Sequence, residues 1–149
     1  MAQITTQISG KDLIIEQSTN GSTWVDISGM ARSVQVSGGT RSNAGSQTAT
    51  GDTSLLTIGK RDLYTVTVNA LYTEASNEAY DEANDAQEGG SAYYLRWFPK
   101  GTTASNLKFT TGAGRVIEPL YPNVDASSPD AVSVTIVVAA PTITEGTAT

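Results

Sequence analysis

The chain contains no cysteine and no histidine. Their absence removes disulfide staples, thiol nucleophiles, most zinc sites and the commonest general base near neutral pH. Long apolar runs are missing as well. The longest stretch without a polar residue is Ile136 to Pro141, far short of the ~20 residues a membrane-spanning helix needs. The first residues, Met-Ala-Gln-Ile-Thr-Thr-Gln, have neither the basic nor the apolar region of a signal peptide, so a soluble protein with no membrane partner is expected. No cluster of Lys and Arg marks a nucleic-acid grip. Residues 74–88 carry Glu74, Glu78, Asp81, Glu82, Asp85 and Glu88 with no base, and account for the whole net charge of −6.

Hydroxyl side chains dominate what is present. There are 21 Thr and 15 Ser in 149 residues; Thr suits pleated strands and Ser suits turns, so the composition leans toward β structure. One domain is expected, with neither an internal repeat nor a boundary. Residues 12–18 and 23–27 read as short strands around Asn20-Gly21-Ser22, a dipeptide-led hairpin turn. That tripeptide is formally a glycosylation sequon, but a turn explains it. Residues 32–37 alternate and make a third strand.

From Ser37 to Ser54 the pattern stops. The only apolar side chains there are Ala44 and Ala49, and glycines stand at 38, 39, 45 and 51. Eighteen residues with nothing to face a core are too many for an ordinary connection. Either this is a mobile surface loop, or it orders against a partner.

Residues 63–72 form the clearest strand. Tyr64, Val66, Val68, Ala70 and Tyr72 share one face, and Thr65, Thr67 and Asn69 the other. Residues 131–139 repeat the arrangement, with Val132, Val134, Ile136 and Val138 opposed by Ser133 and Thr135. Such hydroxyl faces lack the Lys and Glu that usually cover a solvated sheet. Between these strands the spacing predicts a helix over 76–88, capped by Ser76, with Glu78, Asp81 and Glu82 at the positive end of its dipole and Gly89-Gly90 at its end. Ala79, Tyr80, Ala83 and Gln87 make its inward stripe. Strands follow at 92–98, 107–110 and 115–118, and the tail after Pro141 reads as loose. The fold class is mainly β: two packed antiparallel sheets, sandwich- or barrel-like, with one flanking α-helix and a long polar loop.

Catalytic and ligand-binding signals are weak. Gly112-Ala-Gly114 lacks the following helix of a phosphate loop. The carboxylates of 74–88 lack the spacing of a calcium loop and read as a solvated helix face. No pair of acids stands out as a glycosidase pair, and Lys11 and Lys60 have no nucleophile motif around them. Trp24, Tyr93, Tyr94 and Trp97 serve a core, a subunit interface or a sugar-stacking platform. No enzyme activity, cofactor or metal is expected.

Taken in order, STWVDISGMARSVQVSGG, the polar loop, LYTVTVNALYTEASNEAYDEANDAQEGGSAYYLRWFPKG and AVSVTIVVAAPTIT resemble the tail tube proteins, or major tail proteins, of siphophages. With their connections these stretches cover residues 22–144. The resemblance rests on element order rather than on any short motif. It implies two packed sheets with a flanking helix, in hexameric rings stacked so that the inner sheets line a tube. It also implies that the long loop reaches a neighbouring subunit or ring. On that reading Gly38, Gly39, Arg41, Asn43, Gln47, Gly51 and Asp52 belong to an assembly loop. Thr65, Thr67, Asn69, Ser133 and Thr135 face the lumen, and the acidic helix with Glu78, Asp81, Glu82 and Asp85 lies outside or at a subunit junction. Implied partners are the chain itself, tail tip, tape-measure and terminator proteins, with DNA passing through unbound, in a virion assembled in the host cytoplasm. Rival readings are a tail terminator, a secretion-system tube, and a β-sandwich that binds glycans through Trp24, Tyr93 or Trp97.

Overall fold

A computed structural model describes residues 8–47, 49, 51 and 53–149. It contains eleven described strands and one α-helix. Strands β1 (Ile14–Ser18) and β2 (Val25–Asp26) form the first hairpin. Its turn works as the Asn-Gly pair suggests. Asn20 Oδ1 accepts from the Ser22 and Thr23 amides at 2.9 and 2.8 Å, and Gly21 takes the left-handed conformation at φ 76°.

Five strands make one sheet in the order β11–β8–β7–β1–β2, where β7 is Tyr94–Phe98, β8 Leu107–Thr111 and β11 Ile143–Thr147. Four make the second, in the order β3–β6–β10–β9, where β3 is Ala31–Gly38, β6 Tyr64–Leu71, β9 Arg115–Val116 and β10 Ser133–Ala140. All pairings are antiparallel. The sheets face each other across one core, an open sandwich rather than a closed barrel.

Alternation builds that core. Val66, Val68 and Ala70 of β6, together with Val134, Ile136 and Val138 of β10, are buried on the inner face. Ile15, Leu95 and Trp97 meet them from the other sheet, and Trp97 stacks on Phe109 with ring centroids 5.7 Å apart. Tyr93 is fully buried, and its hydroxyl donates to Gln17 Oε1 at 2.6 Å. Gly114 permits close crossing behind it: a Cβ there would stand 2.7 Å from Val138 Cγ1.

The helix α1 spans Ala79–Gly89, three residues later than the sequence suggests. Ser76 is not its cap. Asn77 adopts φ 64°, so the chain cannot yet be helical there, and Asp81 Oδ2 accepts the Asn77 amide at 2.9 Å. Glu78 occupies the N-cap without a side-chain cap bond, and its carboxylate instead accepts the Thr73 hydroxyl. Gly90 ends the helix at φ 62°, where the Ser91 amide donates to the Ala86 carbonyl at 3.0 Å. Ala79, Ala83 and Ala86 pack into the core beside β9 and β10.

The segment after Pro141, expected to be loose, forms β11 on the edge of the five-stranded sheet, and Ala148 beyond it is buried. Ile143 is the only large apolar side chain in β11, too little to stand out from a Thr-rich tail.

Candidate functional site

The 37–54 stretch is not a structureless loop. Strand β4 (Arg41–Ser46) pairs with β5 (Leu55–Arg61) as a two-stranded ribbon, with Ala44 opposite Thr57 and Gly45 opposite Leu56. It continues the β3–β6 hairpin past the end of the four-stranded sheet: the Gly39 amide donates to the Leu63 carbonyl at 3.0 Å and the Asp62 amide to the Thr40 carbonyl at 2.9 Å. Gly38 and Gly39 sit at the joint with φ 77° and 68°. A Cβ at Gly38 would collide with the Leu63 carbonyl, and one at Gly39 with the Tyr64 ring. The bend is therefore set by backbone only glycine adopts without strain.

Beyond the joint the ribbon makes a solvent-exposed arm about 20 Å long at ~3.3 Å per residue. Every residue of β4 and β5 is exposed. Polar β4 gives no sequence periodicity, so the ribbon is held by its backbone ladder. The apolar groups lie in β5, where Leu55, Leu56 and Ile58 are 59%, 69% and 64% exposed. Asn43 and Gly45 oppose Ile58 and Leu56 and are too small to cover them. Burying one such side chain is worth about 1.5–3 kcal/mol, and a lone two-stranded ribbon is only marginally stable. The arm is thus an unfinished surface. Of the residues expected on it, Gly38 closes β3, Gly39 is the hinge, and Arg41 and Asn43 lie in β4. Gln47 follows β4, Gly51 is near the tip, and Asp52 lies outside the described residues. Arg41 donates to the Gly59 carbonyl at 3.4 Å. The sequence signal missed was Leu55-Leu56-Thr57-Ile58, a β-prone run beside the polar stretch.

The hydroxyl face assembles as the alternation implies. Thr135 pairs with Asn69 and Ser33 with Asn69 from the other side, while Gln35 and Ser37 flank Thr67 and Thr65. Thr65, Thr67, Asn69, Ser133 and Thr135 therefore share one face of the sheet, with Val137 and Ala139 completing β10. The face carries no carboxylate, but it is not free of charge: Arg115 of β9 pairs with Ala139 and stands on it, and exposed Arg32 lies at the β3 bulge beside Ser133. Asn69 Oδ1 is buried there without a hydrogen-bond partner among the described residues. The helix packs on the opposite, core side of the same sheet. Glu78, Asp81 and Glu82 are half-buried along it and Asp85 is exposed.

The outer face of the five-stranded sheet is different in character. Arg96 pairs with Glu16 and lies 4.3 Å from the Trp24 ring centre and 5.4 Å from that of Phe98. This arrangement, with Tyr93 and Trp97 inside the core, removes the aromatic sugar platform: Trp97 is 7% exposed and Trp24 is covered by a guanidinium. Tyr94, the neighbour of buried Tyr93, points outward against Gly21. No group of three or more acidic side chains is placed to hold a metal among the described residues.

The fold is shared with chains of several solved structures. One belongs to an extracellular contractile injection system, the PVC sheath/tube terminator in its extended state, with TM-score 0.70, 15% identity, and 97% of this chain and 99% of that one covered. Another belongs to the tail of an empty GTA particle with C6 symmetry, with TM-score 0.66, 15% identity and coverage of 95% and 98%. A third belongs to the anti-feeding prophage cap, described as a tube-terminating cap, with TM-score 0.66, 18% identity and coverage of 99% and 96%. The likeness is of fold, over nearly the whole of each chain. No protein-family profile and no curated sequence matches. The chain has the fold of components of phage-tail-related particles.

Proposed function

We propose that the chain is a structural, non-enzymatic tail tube subunit, of the siphophage major-tail type, that forms rings and stacks them into a hollow conduit. The observation that carries this reading is the exposed β4–β5 arm, with Leu55, Leu56 and Ile58 uncovered, on a sandwich whose fold matches tail-particle chains end to end. The C6 symmetry of the similar GTA tail supports rings of six. The hydroxyl-rich face of Thr65, Thr67, Asn69, Ser133 and Thr135 lines the channel, with Arg115 at its β9 edge rather than a cluster of bases, so DNA passes without a cationic grip that would retain it. Lateral contact within a ring also supplies partners for the free edges of β3 and β9. The tail tip, tape-measure and terminator proteins are the further partners, and the virion tail is the location.

Electron microscopy of the purified chain, concentrated or seeded with a tail-tip initiator, is expected to show hollow tubes. Monomers alone in the presence of a competent initiator would count against the reading. A second reading, a terminator that caps a tube, is favoured by the two similar structures described as terminators. It gives single closed rings that bind tube ends and do not elongate.

A further inference from the structure

Resting on the tube reading above, we propose that residues 117–132 of one copy receive the β4–β5 arm of a second copy stacked end to end upon it. The two surfaces lie at opposite ends of the same sheet. The arm leaves where β3 ends and β6 begins, beside Tyr64. The 117–132 segment starts along β10, with the Ile117 amide on the Val137 carbonyl at 3.0 Å. It then runs to the far end, where Asn123 bridges Ser133, the partner of Leu71. Translation along the strands therefore brings an arm from one copy toward this segment of the next. Such a head-to-tail contact repeats without closing, as a stacked tube requires.

Exposed apolar side chains are concentrated on these two surfaces. Eight of the eleven large ones among the described residues lie there: Val36, Leu55, Leu56, Ile58 and Leu63 on the arm or its root, and Ile117, Tyr121 and Val124 on the segment. Tyr121 and Val124 are 78% and 71% exposed, although the segment is tied down by buried Leu120 and by the Asn123 amide, which donates to the Ser133 carbonyl at 2.8 Å. A fixed loop presenting uncovered apolar groups is pre-organised for a contact. Charge agrees in sign. Residues 41–61 carry Arg41, Lys60 and Arg61 against one acid, Asp52, and residues 117–132 carry Glu118, Asp125 and Asp130 with no base of their own, Arg32 of β3 lying beside them. A rival receiver, the apolar groove of about 440 Å³ between Val36, Tyr64, Trp97, Phe109 and Ile143, opens at the arm's own end of the sandwich. End-to-end stacking carries the arm of a neighbour away from it.

The test uses the absence of native cysteine. A Leu56→Cys/Tyr121→Cys double variant is assembled and treated with a short thiol cross-linker. One chain cannot link to itself, because the two sites stand at opposite ends of a strand of eight residues, roughly 26 Å. Ladders of linked chains are expected, at a yield on the order of tenfold above a Leu56→Cys/Thr67→Cys control, since assembly fixes a high local concentration. If the double variant does not assemble alone, it is incorporated into tubes of unsubstituted chain, where the same link joins it in pairs. Tubes in which Leu56→Cys links only to Val36→Cys, or to neither position, would overturn the receiver while leaving the tube reading intact. Failure of the unsubstituted chain to assemble with an initiator would overturn both.

Discussion

One hairpin ribbon runs through two environments in this molecule. Its lower half, β3 with β6, covers a core: Val66, Val68 and Ala70 have no exposed surface. Its upper half, β4 with β5, has the same antiparallel ladder but leaves Leu55, Leu56 and Ile58 in water. The boundary is two residues wide, Gly38 and Gly39, both in left-handed backbone. Backbone pairing alone therefore does not decide whether a ribbon is finished; what lies against its side chains does. The lower half shares the core of the domain, and the upper half has no side-chain cover among the described residues.

The sharpest way to break this comparison is to replace residues 41–61 by a two-residue Asn-Gly turn. Polymerisation is expected to vanish while the urea unfolding midpoint of the sandwich stays in place; a body that unfolds without its arm would show the two halves to be one cooperative unit. Next in size is Ile136→Ala in the fully buried centre of β10. It should cost about 2–5 kcal/mol in denaturant unfolding. Leu56→Ala should change that stability by no more than about 0.5 kcal/mol, as at an ordinary surface site, yet impair assembly.

Tyr93→Phe comes third. It removes the donor to Gln17, whose Nε2 is already buried without a partner, and should cost about 1–3 kcal/mol. Burial, with the nearby Glu82 charge adding, pushes the Tyr93 phenol well above its ordinary pKa. The neutral phenol is therefore favoured in the folded state, and its contribution is complete below the unfolded-state value of about 10. It is lost as pH climbs beyond that, so alkaline unfolding should be less steep in Tyr93→Phe; an unchanged pH profile would contradict the buried placement. The effect confined most closely to the joint is expected from Gly38→Ala. Positive φ and the Leu63 carbonyl both oppose a side chain, and a cost of about 1–2 kcal/mol should appear mainly as a redirected arm, read as altered ring spacing.

How far these features were legible depended on where each element sat. Strands β6 and β10 could be read nearly residue by residue, because one face is buried and the other carries Thr and Ser. The hydroxyl face followed from the same alternation. The helix was legible as an element, but its start was not: Ser76 looks like a cap, and only the left-handed Asn77 delays it. Strand β4 was invisible because Arg41–Ser46 carries one apolar side chain, Ala44, and its structure comes from pairing with a strand whose own apolar residues find no core. Exposure of Trp97 and Tyr93 could not be settled from spacing either, since their burial is fixed by the opposite sheet. Beyond the strand expected at 115–118, the 117–132 segment gave no periodic signal, and the exposure of Tyr121 and Val124 is visible only in the structure.

The most direct test of self-assembly through a half-finished ribbon is electron microscopy of two samples, the full chain and the chain with residues 41–61 replaced, each given the same initiator. Hollow tubes of stacked rings from the first, and none from the second despite an unchanged fold, are the expected result. Normal tubes from the arm-less chain would contradict it.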